Sequence, residues 1–255
     1  MSVFSSVDSS GDPDRVIQYL DQNAIAAFRM KHYAMAAHAL QRPEGLVVDV
    51  GCGAGHDLDL LRSAGIRPLG VDPSSILLRV ARQRTDWTVP LVQAQGEALP
   101  FADSSLAGCR IERVLIHVLE PAAVVKEIAR CLRPGALLTA FEPDWDSFTV
   151  RSAGGDEPCG WICSVRQPGV GSELWNLMEA AGCEVLDRVE ELSIWKRLAV
   201  LDRVVELAPA IEKAVIAQRI SQARADEWLT EQRERDGRGA FRAAMPKILI
   251  VARKR

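Results

Sequence analysis

A buried strand that breaks into a glycine-rich turn constrains the fold of this chain more than any other feature. Residues 47–57 read VVDVGCGAGHD, and Val47, Val48 and Val50 supply the β-branched run of a strand covered on both faces. Glycines follow at alternate positions, so the backbone can turn sharply and a ligand can approach it closely. A helix that starts directly after the turn would present its free N–H groups there. The segment therefore predicts a binding site for a nucleotide-like ligand.

An acidic residue at the end of the next predicted strand adds a second element to this site. A short strand at 67–71 is followed by Asp72, about twenty residues after Gly51, the spacing at which an acidic residue binds a ribose in dinucleotide-type sites. Asp72 could instead only cap the helix that starts near Ser74, because Asp before Pro73 is a common turn opener. The spacing favours the ribose role.

Strands and helices alternate from Leu46 onward, which predicts a parallel sheet with right-handed crossovers. Residues 14–40 are rich in alanine and lack proline and glycine, so we expect a helical lid there. Residues 144–170 are rich in glycine and proline and are predicted to form a substrate-side loop with mobile parts. The predicted strands are 46–50, 67–71, 88–93, 106–112, 135–141, 183–192 and 247–252, and the predicted helices are 56–64, 74–84, 121–132, 172–181 and 195–235, the last divided at Pro209.

Composition narrows the possible partners. The 255 residues carry a net charge of −3 with dispersed lysines and arginines, which argues against a nucleic-acid-binding face. No stretch has the length of a membrane span, and the first residues lack the order of a signal peptide, so we expect a cytoplasmic protein without a membrane partner. We expect one domain over residues 1–255, with a lid at 14–40, a core at 45–143, a loop at 144–170 and C-terminal helices and strands at 171–255.

The six cysteines lie mostly inside apolar runs, where a reduced thiol behaves as a small hydrophobic group. Cys159 and Cys163 are four residues apart, which is neither the C-x-x-C of redox motifs nor half of a zinc site with a second pair. The sequence therefore predicts neither a disulfide framework nor a metal site.

The glycine spacing points to one family. G-x-G-x-G differs from the G-x-G-x-x-G of nicotinamide and flavin binders, and His56 stands where their third glycine would be. With Asp49 before the turn and the later segments GEALPFADSSLAG and RCLRPGALL, the chain resembles the class I S-adenosylmethionine-dependent methyltransferases, most closely over residues 45–143. The resemblance implies a Rossmann-like α/β fold: a mostly parallel seven-stranded sheet with an antiparallel last strand, helices on both faces and an N-terminal helical lid.

The resemblance also implies S-adenosylmethionine as cofactor and assigns residues to it. Asp72 would bind the ribose, and Gln95 and Gly96 the adenine, although aspartate often stands in the place of Gln95. Asp49, a buried charge, would bind the amides of the turn or the amino group of the cofactor. Glu97 is alternatively a solvated loop charge, and Arg113 alternatively pairs with a carboxylate. The predicted cofactor-binding residues are Asp49, Gly51, Cys52, Gly53, Asp72, Pro73, Gln95, Gly96, Glu97 and Arg113.

Two residues are predicted to act on the acceptor, His117 in ERVLIHV and Asp144 in FEPDW. A histidine titrates near neutral pH and suits a general base, although one among apolar neighbours is often structural. Asp144 would orient the acceptor or, alternatively, cap a turn. Tyr19, Arg29 or Lys31 could reach the cofactor carboxylate. The predicted walls around the acceptor are aromatic: Trp145, Phe148 and Trp161 on one side, and Tyr19, Phe28 and Tyr33 on the other.

The predicted reaction is in-line methyl transfer to a small, largely apolar or aromatic metabolite, which requires little of the protein beyond positioning. A nicotinamide-dependent oxidoreductase is one alternative, because the strand, the turn and Asp72 would serve its ribose equally well. A second alternative keeps the fold and changes the chemistry, as a methyltransferase-fold protein that catalyses a non-methylating rearrangement or only binds the cofactor.

Overall fold

The computed structural model describes residues 7–9, 11–23, 28–163 and 165–255. The helices are α1 (Pro13–Gln22), α2 (Phe28–Gln41), α3 (Leu58–Ser63), α4 (Ser75–Arg84), α5 (Pro121–Cys131), α6 (Val170–Ala180), α7 (Leu198–Val205), α8 (Leu207–Ile216) and α9 (Gln222–Gly237). The strands are β1 (Leu46–Val50), β2 (Arg67–Asp72), β3 (Leu91–Gln93), β4 (Leu106–Glu112), β5 (Leu132–Pro143), β6 (Thr149–Ser152), β7 (Gly155–Pro158), β8 (Cys183–Trp195) and β9 (Ala243–Lys254).

The strands of the described residues form one mixed sheet in the order β3-β2-β1-β4-β5-β9-β6-β7, with β8 also paired to β9. The pairs from β3 to β5 are parallel, whereas β9 runs antiparallel to both β5 and β8. The predicted Rossmann-like class, with a mostly parallel sheet and an antiparallel last strand, is confirmed. The β6–β7 hairpin is an addition that the sequence did not predict.

Alternate residues of β1 face two different layers, as the two-residue period of a strand requires. Val47 is buried in a cluster with Leu58 and Leu61 of α3. Val48 is buried on the opposite face with Val124 of α5. Helices thus cover both faces of the sheet, and the carboxyl ends of the parallel strands open at one edge, where open α/β folds bind ligands.

The predicted N-terminal lid consists of two helices, α1 and α2. Asn23 ends α1 as its C-cap, and residues 24–27 of the predicted helix lie outside the described residues. No helix of the described ranges is both long and apolar enough to cross a membrane.

The C-terminal helical region differs from the prediction in where it breaks. The break comes at Glu206, whose left-handed backbone (φ 50°) separates α7 from α8. Pro209 instead lies in the first turn of α8, where its missing N–H costs no intrahelical hydrogen bond. A further helix, α9, follows, so the region holds three helices rather than the predicted two.

The 144–170 segment was predicted to be a loop, and the structure instead places the β6–β7 hairpin and a short 3-10 helix at Gly160–Ile162 within it. Residue 164 lies outside the described residues. Phe148 and Ile162 are buried in one cluster with Leu201 of α7 and Trp228 of α9. This second core joins the segment to α7–α9 as a cap beside the carboxyl edge of the sheet.

Candidate functional site

A cavity of about 1310 Å³ opens at the carboxyl edge of the parallel strands. Its lining includes the glycine turn after β1, the ends of β2 and β4, helix α1, and residues of the cap. Pockets for a single drug-sized ligand measure roughly 300–1,000 Å³. The cavity therefore has room for two ligands. We name the half that the glycine turn borders the cofactor half and the half that the cap borders the acceptor half, after the roles that the sequence predicts for them.

The three glycines of the turn have positive φ angles, but only one of them, Gly53, could carry a Cβ atom without a clash. A Cβ atom added at Gly51 would lie 2.2 Å from Val114 Cγ2, and one at Gly55 would lie 2.8 Å from Ala81 Cβ. At Gly53, the only heavy atom of the described residues within 4 Å of an added Cβ atom is Leu20 Cδ1, at 3.6 Å, which is an ordinary van der Waals contact. We expected all the glycines to let a ligand approach without meeting a Cβ atom, and of the three only Gly53 fits this role.

Asp72 lies at the end of β2 and lines the cavity beside this turn. Its Oδ2 accepts a hydrogen bond from Gly53 N (2.9 Å) and its Oδ1 accepts one from Ser74 N (2.9 Å). Burial raises the pKa of Asp72 to about 6, and the two amides oppose that rise. Ser74, rather than Asp72, caps α4 by accepting from Leu77 N (3.1 Å). The carboxylate therefore holds the turn against the start of α4 and remains at the cavity wall.

We expected Asp49 to bind the amides of the turn, but it does not. The amides of Gly51 and Cys52 donate to Val71 O instead, at 2.7 and 3.0 Å. Asp49 Oδ1 accepts from Arg110 Nη1 at 2.7 Å, and both side chains are buried. Burial raises the pKa of Asp49 to about 6. The buried charge is therefore compensated by a strand neighbour rather than by the turn.

Arg110 is the centre of a buried ion network that the sequence analysis missed. Its Nη2 donates to Asp57 Oδ2 at 2.6 Å and also to Glu112. Burial works to lower the pKa of Arg110, but the surrounding carboxylates raise it. A signal for this pair existed in the sequence, because Arg110 is the one charge inside the apolar middle of β4, and Asp49 is the same in β1.

Lys31 of α2 completes the network. Its Nζ donates to both carboxylate oxygens of Asp57, at 3.0 and 3.1 Å, and lies 3.3 Å from Glu112 Oε1. Burial works to raise the pKa of Asp57, but Arg110 and Lys31 lower it, to about 2. Buried charges persist only when they are paired. All members of the network line the cavity, so α2 places an ammonium group at its floor.

The predicted adenine-side residues are only partly brought together. Gln95 and Glu97 are exposed and line the cavity, and Cys52 and Pro73 line it as well. Gly96 is not among the lining residues, and a Cβ atom there would lie 3.1 Å from Val124 Cγ1. Gly96 therefore allows the loop to pack closely on α5.

Arg113 and His117 both line the cavity at the end of β4. Arg113 has a left-handed backbone (φ 54°), and its Nη2 lies 3.0 Å from Glu112 Oε1. Burial, and then the charge of Arg113, lower the pKa of His117 to about 4. The imidazole of His117 is therefore neutral near pH 7 and can accept a proton. Glu142 supports this loop from below, because its Oε1 accepts from the amides of Val114 and Leu115 at 2.8 and 2.7 Å.

Asp144 is buried and is not among the residues that line the cavity. Its Oδ2 accepts from the hydroxyls of Ser147 (2.7 Å) and Ser172 (2.5 Å), and its Oδ1 accepts from Asp146 N (3.2 Å). This corrects the expectation that Asp144 orients the acceptor. The carboxylate instead holds the turn after β5 against the start of α6.

Two of the six aromatic residues predicted to form the walls line the cavity. Tyr19 and Trp145 line the cavity, together with Trp195, which was not predicted. Three of the remaining aromatics are elsewhere: Phe148 is fully buried, Phe28 is 59% exposed and Tyr33 is 44% exposed. Trp161 packs edge-on against Trp228 at 5.3 Å between ring centroids. Of the two basic candidates, Lys31 lines the cavity and Arg29 is exposed outside it.

Helix α1 forms the roof and is attached at both ends. At the glycine-turn end, Asp21 Oδ1 lies 2.7 Å from His56 Nε2 and 2.8 Å from Arg84 Nη2. At the cap end, Arg15 Nη2 lies 2.5 Å from Glu206 Oε1. The roof therefore connects the turn to the α7–α8 junction across the cavity.

Comparison with known proteins places this architecture in one family. The chain matches the family model of a methyltransferase domain over residues 48–140. An uncharacterised 37.1 kDa protein in transposon TN4556 of Streptomyces fradiae is 33% identical over 258 residues, covering 96% of this chain and 73% of that protein. A demethylmenaquinone methyltransferase of Corynebacterium kroppenstedtii is 37% identical over 101 residues, covering 40% of this chain and 43% of that enzyme. The chain thus spans less than half the length of that relative.

Solved structures share the fold. The cyclase SpnF superposes with a TM-score of 0.56 at 23% sequence identity, covering 90% of this chain and 81% of that one. The methyltransferase match covers β1, the glycine turn and Asp72, the elements that a nicotinamide-binding site would also have used. The chain belongs to the class I S-adenosylmethionine-dependent methyltransferase superfamily.

Proposed function

We propose that the protein binds S-adenosylmethionine in the cofactor half of the cavity and transfers its methyl group to a small molecule in the acceptor half. The observation that carries this proposal is the pairing of Gly53 with the buried carboxylate of Asp72. Gly53 lines the cavity, and among the described residues a Cβ atom added to it would approach only Leu20 Cδ1. Both groups lie at the sheet edge where ligands of α/β folds bind.

The residues present fit the cofactor. Asp72 would accept the ribose hydroxyls, because a carboxylate oxygen has a second lone pair beyond the one that Gly53 N or Ser74 N occupies. Lys31 lines the cavity with its ammonium group bound to Asp57 and Glu112, and it would share that group with the carboxylate of the methionyl part. Gln95 would bind the adenine edge. When bound, S-adenosylmethionine supplies a methyl group already activated by its sulfonium charge.

The acceptor half would contribute positioning and the exclusion of water. Trp145, Trp195 and Met245 form apolar walls there. Holding the two reactants in line contributes roughly 7–11 kcal/mol to lowering a barrier of this kind. His117 would take a proton on its ring nitrogen from acceptors that lose one, since its imidazole is neutral near pH 7.

A non-methylating rearrangement is the second candidate. SpnF, which is named as a cyclase, has the same fold, and an enclosed apolar chamber suits a cyclisation that needs no strong base. In that case the cofactor half would be occupied without its methyl group being consumed. The two reactions differ in whether S-adenosylhomocysteine is formed, so an assay for this product separates them.

The deciding experiment combines binding and turnover. Calorimetry with S-adenosylmethionine, S-adenosylhomocysteine and NAD measures which cofactor binds. Mass spectrometry of a panel of small acceptors then detects a gain of one methyl group together with S-adenosylhomocysteine. Methylated product supports methyl transfer, and an isomerised product with intact S-adenosylmethionine supports rearrangement. Binding of NAD alone, or methylation restricted to proteins or nucleic acids, would refute the proposal.

A further inference from the structure

The two halves of the cavity carry opposite charge. The cofactor half is bordered by the ion network and by Asp72, which together place four carboxylates there against two cations, Arg110 and Lys31. The acceptor half is bordered by five cationic side chains and two carboxylates. Arg15 and Glu206 pair with each other, so four cations remain against one carboxylate, Glu191. The four cations are Arg113, Arg166, Lys213 and Lys247.

Lys247 is the most confined of these cations without an ion pair. It lies in β9 between Pro143 of β5 and Glu191 of β8, and it lines the cavity. Among the described residues, its ammonium group makes no ion pair and no hydrogen bond. Glu191 is the cross-strand neighbour, yet the two side chains do not reach ion-pair distance.

The groups around Lys247 favour the entry of an anion beside its ammonium group. Burial, then the charge of Arg113 and, last, that of Lys31 lower the pKa of Lys247, whereas Glu191 and Glu112 oppose this. Glu112 is already shared among Arg110, Lys31 and Arg113. A partly desolvated ammonium beside another cation is stabilised most by an anion that enters the same space.

Arg166 is placed on the same side by its backbone. The amides of Arg166 and Gln167 donate to Ile116 O, at 3.0 and 3.1 Å, directly before His117. The segment that carries Arg166 is thus fixed beside the loop that carries Arg113 and His117. The cations of the acceptor half therefore come from separate elements that meet at one chamber.

We propose that the methyl acceptor carries an anionic group, which Lys247 binds, joined to an apolar body that lies against Trp145 and Trp195. This inference rests on the proposed function only in assigning this half of the cavity to the acceptor. Lys247 is then an acceptor-binding residue that determines specificity for acids over their neutral analogues. A carboxylate and a phosphate both suit a lysine, which acts as a point charge.

Matched probes test this inference without knowledge of the natural acceptor. Calorimetry with and without saturating S-adenosylhomocysteine measures the binding of octanoate, octyl phosphate and 1-octanol, and of 2-naphthoate and 2-naphthylmethanol. We expect the anions to bind at least about tenfold tighter than the alcohols. In Lys247→Gln this preference should fall to below about threefold, and Lys247→Arg should keep most of it. The relative affinities of octanoate and octyl phosphate tell which anion the site prefers.

Lys196→Gln is the control, because Lys196 is exposed and outside the cavity. Equal binding of acids and alcohols, an unchanged preference in Lys247→Gln, or no binding of any anion at millimolar concentration would overturn the inference. If Lys247→Gln does not fold, the acid-to-alcohol ratio of the wild-type protein and its decrease with added salt decide. Failure to bind S-adenosylhomocysteine would count against the proposed function instead, since the probes are also measured without it.

Discussion

Asp49 and Arg110 lie opposite each other on adjacent parallel strands, and their side chains meet at 2.7 Å inside the sheet. Each is the only charge in the buried middle of its strand. The pair therefore links β1, which leads into the glycine turn, to β4, which leads to Arg113 and His117. Through Asp57 and Lys31 the same network reaches α3 and α2, so one set of charges holds both halves of the cavity in register.

Removing the cation of this pair should strongly lower the free energy of unfolding. Arg110→Met leaves Asp49, Asp57 and Glu112 buried without their main partner, and we expect a loss of about 3–5 kcal/mol in the free energy of unfolding. Arg110→Met with Asp49→Asn should lose less than the sum of the two single changes, because the neutral amide that replaces the Asp49 carboxylate no longer needs the guanidinium. Urea denaturation of the four proteins measures this, and strict additivity would contradict the network.

Asp72 should control cofactor affinity. Asp72→Ala removes the carboxylate proposed to bind both ribose hydroxyls, and we expect affinity for S-adenosylhomocysteine to fall about a hundredfold, at 1.4 kcal/mol per decade. Asp103→Ala is the matched control, since that carboxylate is 78% exposed. Calorimetry that gives equal affinities for the Asp72 variant and the wild type would disprove the ribose role.

Two glycines of the turn should respond differently to alanine. Both have positive φ, so both substitutions share a backbone cost of roughly 1 kcal/mol. Gly51→Ala adds a Cβ atom 2.2 Å from Val114 and should lower the melting temperature strongly. Gly53→Ala should melt cooperatively within a few degrees of wild type yet bind the cofactor at least about tenfold more weakly. Thermal melts and calorimetry on both variants check this. If Gly53→Ala melted at as low a temperature as Gly51→Ala and bound the cofactor normally, Gly53 would serve the fold alone.

Glu142 should make stability depend on pH. Burial raises its pKa to about 8, from an ordinary value of 4.5, and its Oε2 has no hydrogen-bond partner among the described residues. Because the pKa of Glu142 is higher in the folded than in the unfolded state, its contribution to the free energy of unfolding is complete below pH 4.5. This contribution is lost as the pH rises through 8. Glu142→Gln keeps an acceptor for Val114 N and Leu115 N and removes the charge. We expect it to exceed wild type by more than about 1 kcal/mol at pH 8 and to match it near pH 5.

Urea melts at the two pH values measure this difference. Glu179→Gln, on the exposed side of α6, serves as the control and should show no change between them. A difference at pH 8 that is no larger than in the control would mean that Glu142 does not titrate in this range.

If His117 is the general base, kcat should not depend on pH near neutrality. Its pKa of about 4 predicts that kcat, measured in single turnovers, rises through pH 4 and is constant from about pH 5 to 8. His117→Ala should lower kcat at least about 10²-fold if the imidazole takes the proton of the acceptor. A loss below about tenfold, with an unchanged profile, would assign His117 to structure.

The elements nearest the glycine turn were the most predictable, because there local pattern and tertiary role agree. The valines of β1, the alternate glycines and Asp72 all indicated the same arrangement. The β6–β7 hairpin escaped because Gly154 and Gly155 are typical of a loop as well as of a turn between strands, and only pairing with β9 decides between them. The acceptor role was preferred for Asp144 over the capping role for a similar reason, since Ser172, one of the two serines that bind it, lies 28 residues away in the chain.

The unequal attachment of α1 has a consequence for the order of exchange at the cavity. At its glycine-turn end, two partners that are 21% and 29% exposed, His56 and Arg84, share the Asp21 carboxylate. At its cap end, Arg15 is 60% exposed and pairs with Glu206, and the Tyr19 hydroxyl donates to Val204 O at 3.4 Å. Exposed pairs are worth about 1 kcal/mol or less, so the cap end should open first and more often. The helix would then move away from the cavity at its cap end while its glycine-turn end stays in place. Acceptor and product would pass while the nucleoside stays enclosed, and replacement of the spent cofactor would need the rarer opening at the glycine-turn end.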